Sequence, residues 1–304
     1  MLVLVLSLTL TLSLFFYAPF FKAEAAEEYP MTIRDQFNRE ILIERKPTRL
    51  ISASPANTEI LYALDLAERI VGVTSWCDYP PEVKRKERIG DLVPLNQEKI
   101  LSLRPDLIIA SDINGRQSVE NLENLGLTVV AVNPTNIDHS LQAIALLGKI
   151  TGKERKAWKL VTALQDCINR LEKRKQANLT AGGKEKCLKV LVIVGGRLIG
   201  EPIWTAGPGT FLHDAITLTG GTNIAEDIGM RWGQMSLERV LKYNPDLILT
   251  EIDSNKFFQD KIWAEVAAVR KEQVYPIDIN LFSRPGPRLV NALEELMGIM
   301  EKSN

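Results

Sequence analysis

Asn96-Gln97-Glu98-Lys99-Ile100-Leu101, running on to Arg104-Pro105-Asp106-Leu107-Ile108-Ile109, returns 140 residues later. The second copy is Ser236-Leu237-Glu238-Arg239-Val240-Leu241, running on to Asn244-Pro245-Asp246-Leu247-Ile248-Leu249. Each copy reads as a short helix capped by Asn96 or Ser236, then a Pro-Asp turn, then an apolar strand. A gapless match with Glu, Leu, Pro, Asp, Leu and Ile in register implies two lobes of similar architecture. A lobe of about 140 residues is an ordinary domain size.

The flanking sequence supports that reading. Met31–Asp35 and Glu40–Glu44 alternate around a polar turn, as in a hairpin. Apolar runs at Leu50–Ala53, Ile70–Thr74, Leu107–Ala110 and Val129–Val132 alternate with helical stretches, and Lys189–Val194, Leu247–Thr250 and Val274–Ile277 do the same in the second half. Strands separated by helices predict α/β lobes with largely parallel sheets. Between them, Lys153–Gln176 contains no Pro or Gly, and Trp158, Val161, Leu164, Ile168 and Leu171 recur as one apolar stripe. This predicts a stiff helical strut and a cleft of limited opening. The expected division is residues 1–25 as a signal peptide, 26–152 as the first lobe, 153–180 as the connecting helix and 181–304 as the second lobe.

The chain has 304 residues, with 37 basic against 38 acidic side chains and two histidines, His139 and His213. A net charge of −1 argues against a protein that grips nucleic acid through its phosphates. Two histidines argue against a metal site built mainly from imidazole. Leu2 to Phe21 carry no charge, and Ala23-Glu24-Ala25 resembles a signal-peptidase site, so export and cleavage after Ala25 are expected. No Lys or Arg precedes the apolar run, which leaves an uncleaved anchor as the other reading. No cysteine precedes Cys77, so no lipid-modified cysteine is expected after the signal.

An exported compartment permits disulfides. Of Cys77, Cys167 and Cys187, the last two could close a loop worth about 3 kcal/mol. Three buried thiols is the alternative.

Catalytic motifs are missing: there is no Gly-x-Ser-x-Gly elbow, Walker loop or His-Glu-x-x-His. Gly207-Pro208-Gly209-Thr210 reads as a helix-start turn, and neither histidine sits in a catalytic pattern. Aromatic placement is more informative. Trp76 follows a strand in Trp76-Cys77-Asp78-Tyr79-Pro80-Pro81, Trp204 lies between a strand and a helix, and Trp232 sits in a Gly-flanked loop. Phe282 precedes Ser283-Arg284-Pro285-Gly286-Pro287-Arg288. Loops at strand carboxyl ends are where α/β sheets bind ligands, and large aromatics there suit a bulky apolar or ring-shaped one.

These residues resemble a known family. Arg49-Leu50-Ile51-Ser52-Ala53-Ser54-Pro55-Ala56-Asn57-Thr58-Glu59-Ile60-Leu61 is similar to the opening of the substrate-binding proteins of iron-siderophore and cobalamin ABC importers. Val71-Gly72-Val73-Thr74, the Asp78–Pro81 turn, Gly220-Gly221-Thr222-Asn223 and Arg284–Arg288 extend the likeness over residues 30 to 300, nearest to its cobalamin-binding branch. The resemblance implies two Rossmann-like α/β lobes joined by one long rigid helix. It implies a monomeric, non-enzymatic periplasmic protein with no cofactor, which passes a corrinoid to a membrane permease and its ATPase subunits.

By the same resemblance, Pro55, Trp76, Leu92, Trp204, Trp232, Asn280, Phe282 and Arg284 fall at or near ligand-contacting positions. Glu98 and Glu238 fall where the family docks on its permease. Leu92 and Leu281 replace aromatics, and Asn280 stands for an acidic residue. A related corrinoid or corrinoid precursor therefore fits as well as cobalamin. A ferric siderophore or haem is the alternative ligand, served by Arg231, Arg284 or Tyr79, and an exported hydrolase is the minor alternative.

Overall fold

In the computed structural model, residues 29–180, 187–196 and 202–303 are described, so the expected signal segment lies outside the described residues. A hairpin of β1 (Met31–Arg34) and β2 (Glu40–Ile43) leads into the first lobe. There follow β3 (Leu50–Ser52), α1 (Pro55–Ala63), β4 (Ile70–Val73), β5 (Glu87–Arg88), α2 (Gln97–Ser102), β6 (Leu107–Ala110), α3 (Arg116–Asn124), β7 (Val129–Ala131) and α4 (Ile137–Thr151). The sheet is parallel throughout, in the order β5-β4-β3-β6-β7.

The helix α5 (Glu154–Thr180) then crosses to the second lobe. That lobe contains β8 (Lys189–Ile193), β9 (Ile203–Ala206), α6 (Phe211–Leu218), β10 (Thr222–Asn223), β11 (Trp232–Met235), α7 (Leu237–Tyr243) and β12 (Leu247–Thr250). It ends with α8 (Ser254–Phe258), α9 (Ala267–Arg270), β13 (Val274–Pro276), α10 (Ile279–Ser283) and α11 (Leu289–Ser303). Its parallel sheet runs β10-β8-β12-β13, and β9 and β11 form a separate antiparallel ribbon. The two-lobed α/β architecture is the one expected from the repeat.

The repeat itself does structural work in both lobes. Its strands, β6 and β12, are buried at every position, as parallel strands covered on both faces must be. Asn96 and Ser236 cap α2 and α7, accepting from Lys99 N at 2.9 Å and Arg239 N at 3.3 Å. The turn aspartates then fix the start of the neighbouring strand. Asp106 accepts from Thr48 N, Thr48 Oγ1 and Arg49 N, each at 2.8 Å, and Asp246 accepts from Lys189 N at 3.2 Å. Their own N–H groups donate to Arg49 O and Lys189 O at 3.0 and 2.8 Å. Pro-Asp is therefore a strand-register clamp.

The strut is fastened to both lobes. Gly148 of α4 lets α5 approach so closely that a Cβ there would collide with the Cβ of Ala157. Lys156 pairs with Asp65 on the first lobe. On the second, Arg174 pairs with Glu301 of α11, and Lys175 Nζ donates to Thr217 O at 2.7 Å. The buried stripe is Ala157, Leu164, Cys167, Ile168 and Leu171, flanked by Leu160 and Val161. Trp158, expected within it, is 46 % exposed: Ala157 takes the place against Gly148 of α4, and Trp158 lies one residue, about 100°, round the helix.

The disulfide reading is corrected. All three cysteines are free: Cys77 and Cys167 are buried and Cys187 is exposed. Cys167 Sγ faces Glu294 Oε1 of α11 at 3.9 Å, whereas Cys187 Sγ bonds Gly220 O at 3.3 Å and Thr222 Oγ1 at 3.0 Å. The two thiols are held by different neighbours. Burial pushes the Cys77 and Cys167 thiols up, which further reduces their reactivity.

Two tests follow from these contacts. Alkylation of the native protein should modify Cys187 rapidly and all three thiols only after unfolding; a Cys167–Cys187 bridge would leave one reactive thiol in the unfolded chain. In urea unfolding, Asp246→Ala should cost about 2–3 kcal/mol and Asp106→Ala about 1 kcal/mol. Asp246 is buried, whereas Thr48 and Arg49 are exposed enough for water to replace Asp106.

Candidate functional site

The parallel strands of both lobes direct their carboxyl-end loops toward each other, and paired side chains bridge the gap. Asp112, after β6, pairs with Arg231, which precedes β11. Asp78, after β4, pairs with Arg284, which follows α10. Glu59 of α1 receives a bidentate pair from Arg288, with Nε to Oε2 at 2.8 Å and a terminal nitrogen to Oε1 at 2.6 Å. The same guanidinium lies 3.8 Å from the centroid of the Tyr79 ring. Deeper in the junction, Phe211 N donates to Thr135 O at 2.7 Å, and Ile137 N donates to Asp214 Oδ2 at 3.1 Å.

The expected tryptophans of both lobes are open to solvent. Trp76 is 54 % exposed, and its indole Nε1 donates to Asp91 Oδ1, which also accepts from Leu92 N at 2.7 Å. An aromatic ring is thus left open to solvent yet fixed in orientation. On the other lobe, Trp204 is 44 % and Trp232 38 % exposed.

The ribbon explains how those two cooperate. Its register sets Trp204 opposite Gln234 and Ala206 opposite Trp232. Along β11 the pattern is exposed, buried, exposed, buried, so Trp232 and Gln234 share the face that carries Trp204. The tryptophans are diagonal cross-strand neighbours, roughly 7 Å apart. Beneath them Gly207 admits the chain at Ile228–Met230, where a Cβ would meet Met230 O and Ile228 Cγ1, and Gly207 N donates to Arg231 O at 2.7 Å. The outcome is two exposed tryptophans and one exposed amide on the same face of the ribbon.

The remaining expected residues divide. Pro55 is half-buried at the first position of α1, Leu92 is half-buried beside Asp91, and Asn280 is exposed on α10. Arg284 is largely covered and pairs with Asp78. Phe282 is corrected: it is fully buried in the main core and offers no surface to a ligand, because the short helix α10 turns it inward and leaves Asn280 outward. Glu98 and Glu238 are exposed at the second positions of α2 and α7. Gln234, Asp112, Glu59 and Arg288 were missed as cleft residues. For Gln234 the alternation Trp232-Gly233-Gln234-Met235 was a usable signal.

The histidines take local roles. His139 Nδ1 bonds Thr135 Oγ1 at 2.8 Å, and His213 Nδ1 lies 3.4 Å from Asn223 Nδ2. Among the described residues no three His, Cys, Asp or Glu side chains converge as metal ligands.

Burial pushes the Glu59 carboxyl above its ordinary value of 4.5, against the opposing hydrogen bond and charge of Arg288. A raised carboxyl binds its proton more tightly in the folded state than in the unfolded one. Its contribution is therefore fully favourable below about pH 4.5 and is lost as the pH rises through the raised value. In urea titrations across that window, Glu59→Gln should lose less stability with rising pH than the parent. Identical slopes would show that Glu59 does not titrate there. Arg288→Ala, which leaves the buried carboxyl without its partner, should cost about 3 kcal/mol at neutral pH.

Comparison with known proteins agrees with this architecture. Residues 50–281 match the model of the family described as periplasmic binding protein. The chain is 33 % identical to the uncharacterized ABC transporter substrate-binding lipoprotein YvrC of Bacillus subtilis, over 90 % of this chain and 86 % of that one. It is 30 % identical to the vitamin B12-binding protein of Pectobacterium carotovorum, over 82 % of this chain and 87 % of the relative. The crystal structure of the periplasmic vitamin B12 binding protein BtuF of Vibrio cholerae superimposes with a TM-score of 0.73 at 27 % identity, covering 84 % of this chain and 98 % of that one. Two facing α/β lobes, one bridging helix and a family match across most of both lobes lead to one conclusion: the chain belongs to the periplasmic binding protein family.

Proposed function

We propose that the chain is the substrate-binding component of an ABC importer. It captures a corrinoid, cobalamin or a close relative, between its lobes and delivers it to a membrane permease served by ATPase subunits. It works as an exported monomer, binds reversibly and catalyses nothing. Glu98 and Glu238, exposed at equivalent positions of the two lobes, are the points that meet the permease.

The observation that carries the choice of ligand is the pairing of charge and aromatic surface in the cleft. Arg231, Arg284 and Arg288 are each taken up by a carboxylate of the opposite lobe. A haem or a ferric siderophore carries anionic groups that would have to compete for those cations. Trp76, Trp204 and Trp232 instead present open aromatic faces to a macrocycle, with Gln234 and Asn280 available to its amide edge. The nearness of vitamin B12-binding relatives supports the same reading.

Calorimetric titration with cyanocobalamin, cobinamide, haem and ferric hydroxamates tests it. At least one corrinoid should bind more tightly than any iron compound, and Trp204→Ala or Trp232→Ala should each weaken that binding by roughly tenfold. Tight binding of haem or an iron chelate with no response to either corrinoid would overturn the choice of ligand.

A further inference from the structure

The 140-residue repeat extends to the ion pairs around the two exposed glutamates. Lys99 Nζ pairs with Glu87 Oε2 at 2.6 Å, and Arg239 pairs with Asp227. All four residues obey the same offset: Lys99 corresponds to Arg239, and Glu87 to Asp227. In each lobe the cation next to the glutamate is therefore neutralised from the preceding segment. Glu98 and Glu238 form no ion pair with any described residue, so each helix start carries one uncompensated negative charge. Two unrelated surface helices would not share such an arrangement by propensity alone.

A second feature repeats in register. Leu101 is 41 % and Leu241 36 % exposed, on helices where the next apolar residues inward, Ile100 and Val240, are fully buried. Residues three apart on a helix are neighbours on one face. Leu101 therefore lies one turn below Glu98, and Leu241 one turn below Glu238. Each lobe displays the same two-part unit, an open carboxylate and an open leucine.

We infer that Leu101 and Leu241 are docking residues, and that the surface recognised by the permease is this glutamate–leucine unit, presented once by each lobe. The inference rests on the reading of the chain as a permease-docking protein. The occupant that fits is a membrane protein with two equivalent halves, each offering a cation beside an apolar depression. Charge complementarity fixes the cation, because Lys99 and Arg239, the basic residues next to the two glutamates, are already neutralised. The duplicated unit fixes the two-fold character. The parts of the unit act differently: exposed charges mainly steer encounter, whereas buried apolar contact lengthens the lifetime of the complex.

The test uses the full exported chain and a purified permease–ATPase complex from the same cell, embedded in nanodiscs, with binding followed in real time at several salt concentrations. Leu101→Ser with Leu241→Ser should weaken docking at least tenfold, through faster dissociation, with the salt dependence of association unchanged. Thermal unfolding and corrinoid affinity should match the parent. Glu98→Gln with Glu238→Gln should instead slow association and flatten its salt dependence. Leucine variants that dock like the parent while the glutamate variants fail would overturn the inference and leave the docking reading standing. Indifference to both pairs would overturn both.

Discussion

One hydrophobic core runs without a break from the first lobe, through α5, into the second. Ile144 and Leu147 of α4, Leu164, Ile168 and Leu171 of α5, Leu212 and Ile216 of α6, and Leu293, Leu296 and Met300 of α11 belong to the same buried cluster. Separating the lobes would expose those side chains at about 25 cal/mol for each Å² of apolar surface. Everything else in the molecule is arranged around that constraint. The glycine at 148, the ion pairs of Lys156 and Arg174, and the Lys175 bond to Thr217 O all hold α5 against both lobes at once. The strut is therefore an internal wall of the protein rather than a linker.

With the lobes held together behind, the cleft can be shaped by side chains in front. Its three cross-lobe pairs set the spacing, and their energetics differ. Arg231–Asp112 and Arg284–Asp78 each retain solvent on at least one partner. Arg288–Glu59 has its carboxylate buried, where desolvation offsets much of the attraction. Its value lies in position: a bidentate bond and a stacked Tyr79 ring leave the two lobes little freedom to shear. Trp76 on the first lobe, and Trp204 and Trp232 on the second, stay open to solvent.

The lobes and the strut were legible in the sequence because they depend on local pattern. Asn96 and Ser236 cap, Pro105 and Pro245 turn, and apolar runs of four make buried parallel strands. What was missed depends on distant partners. Glu59 and Arg288 stand 229 residues apart, and nothing in either neighbourhood names the other. Trp158 and Phe282 failed for different reasons. Three- and four-residue spacing left the edge of the apolar stripe open, and Ala157 rather than Trp158 meets α4. Phe282 was placed with a loop, whereas it lies on the short helix α10, which turns it into the core. The Cys167–Cys187 bridge failed because loop length permits a disulfide without bringing the sulfurs together.

A continuous core also has a consequence for how the molecule comes apart. Side chains of both lobes and of α5 belong to one buried cluster, so neither lobe can open that interior to water without opening the other's. The chain is thereby one cooperative folding unit, although its sequence repeats and its parallel sheets are two.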